Sequence, residues 1–417
     1  MKILMVIPYV PNLVRIRPYN LLRFLAKSGH RITLATLWGN QQEYQDLAAL
    51  QPFCERLIAL PLTRYRSLSN CLLALPGRSP LQSVYCWNST LADQINHLIG
   101  SAQDEPFDIV HVEHLRGAKY GISIKNRVSR LGLPLPVVWD SVDSISLLFR
   151  LAAKENKQLL TQLMTKFETG RTERYEKKLV DFFDHILVTS ANDRQALLDF
   201  QGNALVKPPI SVIPNGVDLE YFQMDPNLPR EPGTIVISGK MSYHANVAMA
   251  LYLVNEIMPL VWQHKPDTRV AVVGKDPPAT VRKLGEDRRV EVTGTVPDLR
   301  IYLQRATIAA APIRYGAGIQ NKVLEAMACG APVVATSGIL SGIHAQAGKE
   351  ILVADDAHSF AAILVNLLSD PEKQKEMSRA GRKYVETYHN WDEICRKLTQ
   401  IYTEARERLR KQLNLAK

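Results

Sequence analysis

Short runs of β-branched and aliphatic residues alternate along the chain with longer stretches whose apolar positions recur every three or four residues. In the first half KILMVI, RITLAT, DIVHV, PVVWD and HILVTS predict strands, each followed by a segment of helical period. Strands that are apolar throughout and alternate with helices are the pattern of βαβ units around a parallel sheet buried on both faces. The first helix is marked at both ends, Pro18 suiting its first turn and Gly29 its stop. The pattern then starts afresh with TIVISG, RVAVVG, RVEVTG, TIAAAP, APVVAT and EILVA. Between the two series lies VIPNGVDLEYFQMDPNLPREPG, where Asn-Gly, four prolines and polar residues end all periodicity. The chain is therefore read as two consecutive α/β domains, residues 1–213 and 233–390, joined by a linker at 214–232. The tail EARERLRKQLNLAK has the pattern of a charged amphipathic helix.

Ligands of such sheets bind beyond the carboxyl ends of the strands, so chemistry is sought in the loops that follow them, and with two domains in the cleft between. His111 near the end of DIVHV, and Glu113 and His114 just after it, are placed to meet a ligand, with a packed histidine as the alternative reading for His111. Asp140 and Asp143 in WDSVDS are candidates either for binding acceptor hydroxyls or for capping the next helix. The segment APIRYGAGIQNKVLEAMACGAPVVAT carries the strongest pattern. A strand ends at Ala311, a loop holds Gly316 and Gly318, and a helix runs from about Ile319 to a stop at Gly330. Glycines admit a ligand to the backbone, and a helix N-terminus offers unpaired N–H groups to an anion, which together make a diphosphate cradle. Lys322 and Glu325, three apart, share one face of that helix, as a ligand-binding pair or as a surface ion pair.

Composition narrows the classes. With 417 residues, 46% hydrophobic and 22% charged, the chain is an ordinary globular one with more than a single core. The most apolar stretch, Val247 to Trp262, is interrupted by Asn255 and Glu256, so no membrane span is expected. Met1 to Ile7 reads as a first strand and not a signal peptide. The five scattered cysteines, without a C-x-x-C pair, fit a reducing cytoplasm and argue against a metal site. A net charge of +10 admits phosphorylated ligands or an anionic membrane surface, and the absence of any helix-turn-helix, RNP-type or zinc-finger pattern sets nucleic acid aside. TRYRSLSNCLLALPGR, with Arg64, Arg66 and Arg78 around an apolar run, is a candidate for resting on such a membrane from the inner face, or else an ordinary amphipathic helix.

The segment at 311–336 resembles the C-terminal signature of family 4 retaining glycosyltransferases, and VIPNGVDLEYF is similar to that family's interdomain phrase. The resemblance extends over nearly the whole chain: SGKMSYHANVAMA to a diphosphate loop, VEVTGTVPDLRIYLQRA to a base-binding turn, YHNWDEI to the start of a last helix. It implies the GT-B fold, two facing Rossmann-like domains with residues 391–417 crossing back onto the first. It also implies transfer of a sugar from an NDP-sugar to an acceptor hydroxyl with retention, in cell-surface polysaccharide or glycolipid synthesis, on a saccharide or lipid-linked acceptor and with no metal or other cofactor. Glu325 then takes the ribose, the backbone from Gly316 to Ile319 meets sugar and phosphate, Gly239 and Lys240 approach the diphosphate, and the turn after Gly294, including Val296, covers the base. The sequence departs from the family in three places. Ala317 stands where many members carry a glutamate that touches the donor sugar. Ala245-Asn246 stands near the place of a second diphosphate-loop lysine, a charge that Lys322 is read as supplying. The first N-terminal loop lacks its usual glycine pair and offers Arg15 and Arg17 instead. A non-catalytic sugar-nucleotide binder of a polysaccharide assembly complex, and a GT-B sugar-nucleotide epimerase, remain the alternatives.

Overall fold

A computed structural model describes residues 1–101, 105–155, 159–202, 207–225, 227–314 and 319–415, in two compact units. Unit 1 comprises Met1–Pro214 and Trp391–Lys417; unit 2 comprises Asn215–Asn390.

Unit 1 is built on seven parallel strands: β1 (Lys2–Ile7), β2 (Arg31–Trp38), β3 (Arg56–Pro61), β4 (Ile109–Glu113), β5 (Val137–Val142), β6 (His185–Val188) and β7 (Ile210–Val212). They lie in the order β3-β2-β1-β4-β5-β6-β7, the Rossmann arrangement, whose direction of winding reverses between β1 and β4. Ile3 to Ile7 and Ile109, Val110 and Val112 are fully buried, because helices cover both faces of the sheet. The first helix, Ile16–Lys27, ends as its sequence demands, with Gly29 at φ +80°. The last helix, Trp391–Leu415, belongs to this unit: Trp391, Ile394, Cys395, Leu398, Tyr402 and Ala405 are buried against Ile3, Met5 and Ile7 of β1 and against Leu21 and Leu25.

Unit 2 repeats the plan with β8 (Glu231–Ser238), β9 (Arg269–Val273), β10 (Val290–Gly294), β11 (Ala306–Ala311), β12 (Val333–Ala335) and β13 (Leu352–Val353), ordered β10-β9-β8-β11-β12-β13 and all parallel. Its switch point lies between β8 and β11. Most of the expected linker is folded into this unit: Leu219 and Phe222 pack on its core, and the Arg382 guanidinium donates to the carbonyls of Phe222 and Ala328. Local sequence lacks periodicity there because the segment is held by side chains from elsewhere.

One helical run, His244–His264, is apolar and long enough to cross a membrane, yet over half of it is buried. Met249, Leu253, Val254, Ile257, Met258 and Val261 are core residues of unit 2. It contains a π turn at Leu253–Ile257, just before Pro259, whose ring and missing N–H prevent a regular α-turn.

Candidate functional site

In unit 2 the loops after β8 and β9 meet at Gly239 and Gly274, and the helix Asn321–Ala328 reaches them through Lys322. Gly239 (φ +147°) and Gly274 (φ +155°) close the loops after β8 and β9; a Cβ on Gly274 would stand 1.7 Å from the Gly239 carbonyl oxygen. Only glycine at 274 lets the two backbones approach so closely. Asn246, at the start of the helix His244–Tyr252, donates from Nδ2 to the Lys240 carbonyl at 2.9 Å. Its Oδ1 accepts from Nζ of Lys322, on the helix Asn321–Ala328. Asn246 thus fastens the Lys322 ammonium to the loop that carries Gly239 and the exposed Lys240.

The helix Asn321–Ala328 opens at Gln320, whose own side chain makes no capping bond, and it stops at Gly330 (φ +73°). Glu325 lies on its half-buried face and, among the described residues, has no hydrogen-bond partner. Burial raises the Glu325 carboxyl to about 7, with the Lys322 charge acting against it. Burial likewise lowers Lys322 to about 8, the Glu325 charge opposing. The helix thus offers, side by side, a carboxyl without a hydrogen-bond partner among the described residues and a cation. Gly294 (φ +69°) ends β10, and Val296 beyond it packs on the core and lines a cavity of about 440 Å³ with Pro297, Ile301 and Tyr302. Ile319 is buried in the core, whereas Gly316, Ala317 and Gly318 lie outside the described residues.

In unit 1 the polar residues at the switch point form a buried network, in which His111 Nε2 and Glu113 Oε2 have no hydrogen-bond partner among the described residues. Arg17 is 4% exposed and donates through Nε and Nη2 to Oδ2 of Asp140, at 3.0 and 2.7 Å, and through Nη1 to the Ile213 carbonyl at 2.9 Å. Asp140 is fully buried and its Oδ1 accepts the Val142 N–H. His111, also fully buried, has Nδ1 at 2.8 Å from the Tyr402 hydroxyl and Nε2 at 3.7 Å from Asp140. Burial lowers it to about 4, with the Arg17 charge adding to this and Asp140 opposing, so it is neutral at pH 7. His111 is the packed histidine of the alternative reading, and Arg17 and Asp140 are an internal ion pair and not open ligand contacts. Arg15 is engaged too: it pairs with Glu43 at 2.9 Å and lies over the Tyr9 ring.

Neither aspartate caps the following helix, Ile145–Glu155. Its first N–H groups, Ile145 and Ser146, donate to the buried carboxylate of Glu176 at 2.7 and 3.4 Å, and the Ser144 N–H donates to Asp193. Asp143 instead accepts from the Thr189 hydroxyl at 3.1 Å. Nothing near 140 in the sequence announces Glu176; its partner role comes from the packing of a later helix. Two non-glycine residues with positive φ flank this network, His114 at 63° after β4 and Val142 at 67° in β5. Such a backbone is strained for a β-branched residue and is held by its surroundings.

Glu113 differs from its neighbours. It is 1% exposed; its Oε1 accepts from the Tyr9 hydroxyl at 3.0 Å and its Oε2 has no partner. Burial first, then the Asp140 charge, raises its carboxyl to about 8. The unfolded chain releases that proton near pH 4, so between about pH 4 and 8 folding keeps a proton that unfolding gives up, and stability falls as pH rises. Glu113→Gln keeps the Tyr9 contact and removes the titration. It should melt with the parent at pH 4 and about 10 °C above it at pH 8. Calorimetry at the two pH values checks this, and a pH-independent difference would refute it.

Residues 16–221 match the family model described as Glycosyltransferase Family 4, and residues 232–370 match that of the glycosyl transferases group 1. A GDP-mannose-dependent monoacylated alpha-(1-6)-phosphatidylinositol monomannoside mannosyltransferase of Corynebacterium glutamicum is 33% identical over 156 residues, 34% of this chain and 41% of that protein. The chain thus spans less than half of that relative. D-inositol 3-phosphate glycosyltransferase of Thermobispora bispora is 21% identical over 331 residues, covering 73% of this chain and 72% of that protein. The crystal structure of Anabaena HepE in complex with UDP superposes with a TM-score of 0.62 at 15% identity, over 97% of this chain and 100% of that one. With two Rossmann-like sheets, two family models that together span most of its length, and a fold shared end to end with a solved neighbour, the chain belongs to the family 4 glycosyltransferases of GT-B fold.

Proposed function

We propose that the chain transfers a glycosyl group from an NDP-sugar to an acceptor hydroxyl, with retention at the anomeric carbon, in the making of cell-surface polysaccharide or glycolipid. The observation that carries this reading is the convergence in unit 2 of the Gly239–Gly274 contact, Lys240, the Asn246-held Lys322 and the unengaged Glu325. Glu325 accepts from the ribose hydroxyls, while Lys240, Lys322 and the helix N-terminus take the diphosphate. As the bond from the anomeric carbon to the phosphate oxygen breaks, negative charge grows on that phosphate, next to Lys322. The acceptor oxygen bonds to the anomeric carbon on the same face, and its proton passes to the departing phosphate. Fixed positive groups lower that barrier by stabilising the growing charge. Unit 1 supplies the acceptor side, where Glu113 Oε2 and His111 Nε2 of the switch-point network are buried without a hydrogen-bond partner among the described residues.

The nucleotide is tested directly. Anabaena HepE was solved with UDP, and the Corynebacterium relative is named for GDP-mannose, so UDP- and GDP-sugars form the two arms of a thermal-shift screen. A ligand at a hundred times its dissociation constant stabilises by about 2.7 kcal/mol, which is a shift of several degrees. One arm should produce it, and turnover with a lipid-linked or saccharide acceptor should follow. No shift with any nucleotide-sugar would overturn the reading. Binding without transfer would leave the non-catalytic binder, and sugar interconversion without acceptor the epimerase.

A further inference from the structure

The helix Arg64–Ala74 of unit 1 is built inside out. Ser67, Asn70, Cys71 and Ala74, spaced three and four apart, form the stripe that meets the protein, and all are small or polar. Ser67 is the buried residue of the helix; the Asn70 amide donates to the Trp87 carbonyl at 2.9 Å, and the Cys71 thiol points to the Leu81 carbonyl at 3.9 Å. The buried Arg171 donates to the carbonyls of Ala74, Leu75 and Gly77 and fastens the helix's C-terminal end. The large apolar side chains look outward instead: Tyr65 is 86% exposed, Leu68 60%, Leu72 57% and Leu73 80%. Phe167, exposed and stacked 4.6 Å from the Arg171 guanidinium, lies beside them. A helix whose own unit takes up its polar stripe and leaves four large apolar side chains in water is not explained by the fold of that unit.

Charge identifies what covers it. From Arg56 to Ala92 the chain has no acidic residue, and Arg64 and Arg78 stand exposed at the two ends of the helix. Beneath the helix the Glu168 carboxylate is taken up by the Leu81 N–H and by Arg171, so the outward ridge carries apolar side chains and cations, which complements a surface with a hydrocarbon interior and negative headgroups. We propose that this ridge docks unit 1 onto an anionic phospholipid bilayer, with Leu68, Leu72, Leu73 and Tyr65 entering the interfacial layer and Arg64 and Arg78 meeting headgroup phosphates. The inference goes beyond the transferase reading and stands without it, since docking is measured on the protein alone.

The test is sedimentation of the full chain with large vesicles of phosphatidylcholine alone or mixed with phosphatidylglycerol, at low and high salt. The parent should bind the mixed vesicles at least about tenfold better than neutral ones, and salt should weaken that preference by screening. Leu72→Ser/Leu73→Ser should lose about tenfold or more on mixed vesicles, while its melting temperature stays that of the parent because both side chains are exposed. Arg64→Gln/Arg78→Gln should flatten the salt dependence. Equal recovery of the parent with neutral and anionic vesicles, or equal binding by parent and leucine variant, would overturn the proposal. So would a dimer in solution that the leucine variant splits, which would assign the ridge to a second copy of the chain.

Discussion

Glu325→Gln should weaken NDP-sugar and free NDP alike, by about ten- to a hundredfold, with kcat close to the parent's, whereas Lys322→Ala should cut kcat by more than it weakens the donor. The two residues share one helix, so a general disturbance of that helix would move both parameters in both variants. Their proposed partners differ. Glu325 faces a ribose whose hydroxyls do not change during reaction, and an interaction equal in ground and transition states alters affinity alone. Lys322 faces a phosphate on which charge grows, and its loss is felt most at the transition state. The Glu325 carboxyl at about 7 adds a second signature: a carboxylate accepts both ribose bonds and a carboxylic acid does not, so NDP affinity of the parent should rise relative to that of the Gln variant from pH 6 to pH 8, the Lys322 ammonium at about 8 being common to both. Lys322 is itself held in place by Asn246, so Asn246→Ala should share the Lys322 phenotype in weaker form. Isothermal titration with NDP, run beside steady-state kinetics, separates the two parameters. Folded variants that bind and turn over like the parent would remove this helix from the donor site.

The features legible in the sequence were those written locally. Eleven strands declare themselves as continuous aliphatic runs because both faces of a parallel sheet are buried, and each run falls on an observed strand. The two strands that escaped are edge elements: β3, RLIALP, is only partly buried and ends in proline, and β7 has three residues. Gly239, Gly294 and Gly330 were readable for the same reason, since each occupies the left-handed side of φ at the end of an element. Gly274 went unread although it closes RVAVVG as Gly239 closes TIVISG; that parallel was the available signal. What local sequence does not contain is which polar group a distant helix will cover. His111 was a ligand candidate by position, and Tyr402, 291 residues later, makes it a packed one. Likewise Tyr9 and Glu176 acquire their roles only where β1 lies beside β4 and where one helix crosses the start of another.

Asp140→Asn should lower the melting temperature of unit 1 by about 10 °C, because it leaves the Arg17 guanidinium buried without its counter-charge. Removing one partner of a buried pair typically costs about 3–5 kcal/mol, most of it the penalty of stranding the other ion. Arg17→Met should cost about as much, since it strands the buried Asp140 carboxylate and removes the positive charge that also acts on Glu113. The pair nevertheless need not contribute much net stability, because both ions were taken out of water to form it. Arg17→Met/Asp140→Leu should therefore recover most of the loss, with a coupling of a few kcal/mol between the two sites. Calorimetry of the four proteins measures this cycle, and NDP affinity should be constant across it because the donor residues lie in unit 2. The same cycle decides between the two readings of Asp140. If Asp140→Asn melts with the parent but no longer transfers sugar, the carboxylate belongs to the acceptor site that its position at the end of PVVWD first suggested. If the single variants melt early and the double variant regains both stability and turnover, Arg17 and Asp140 hold the first helix and the end of β7 against β5, and the acceptor is recognised elsewhere.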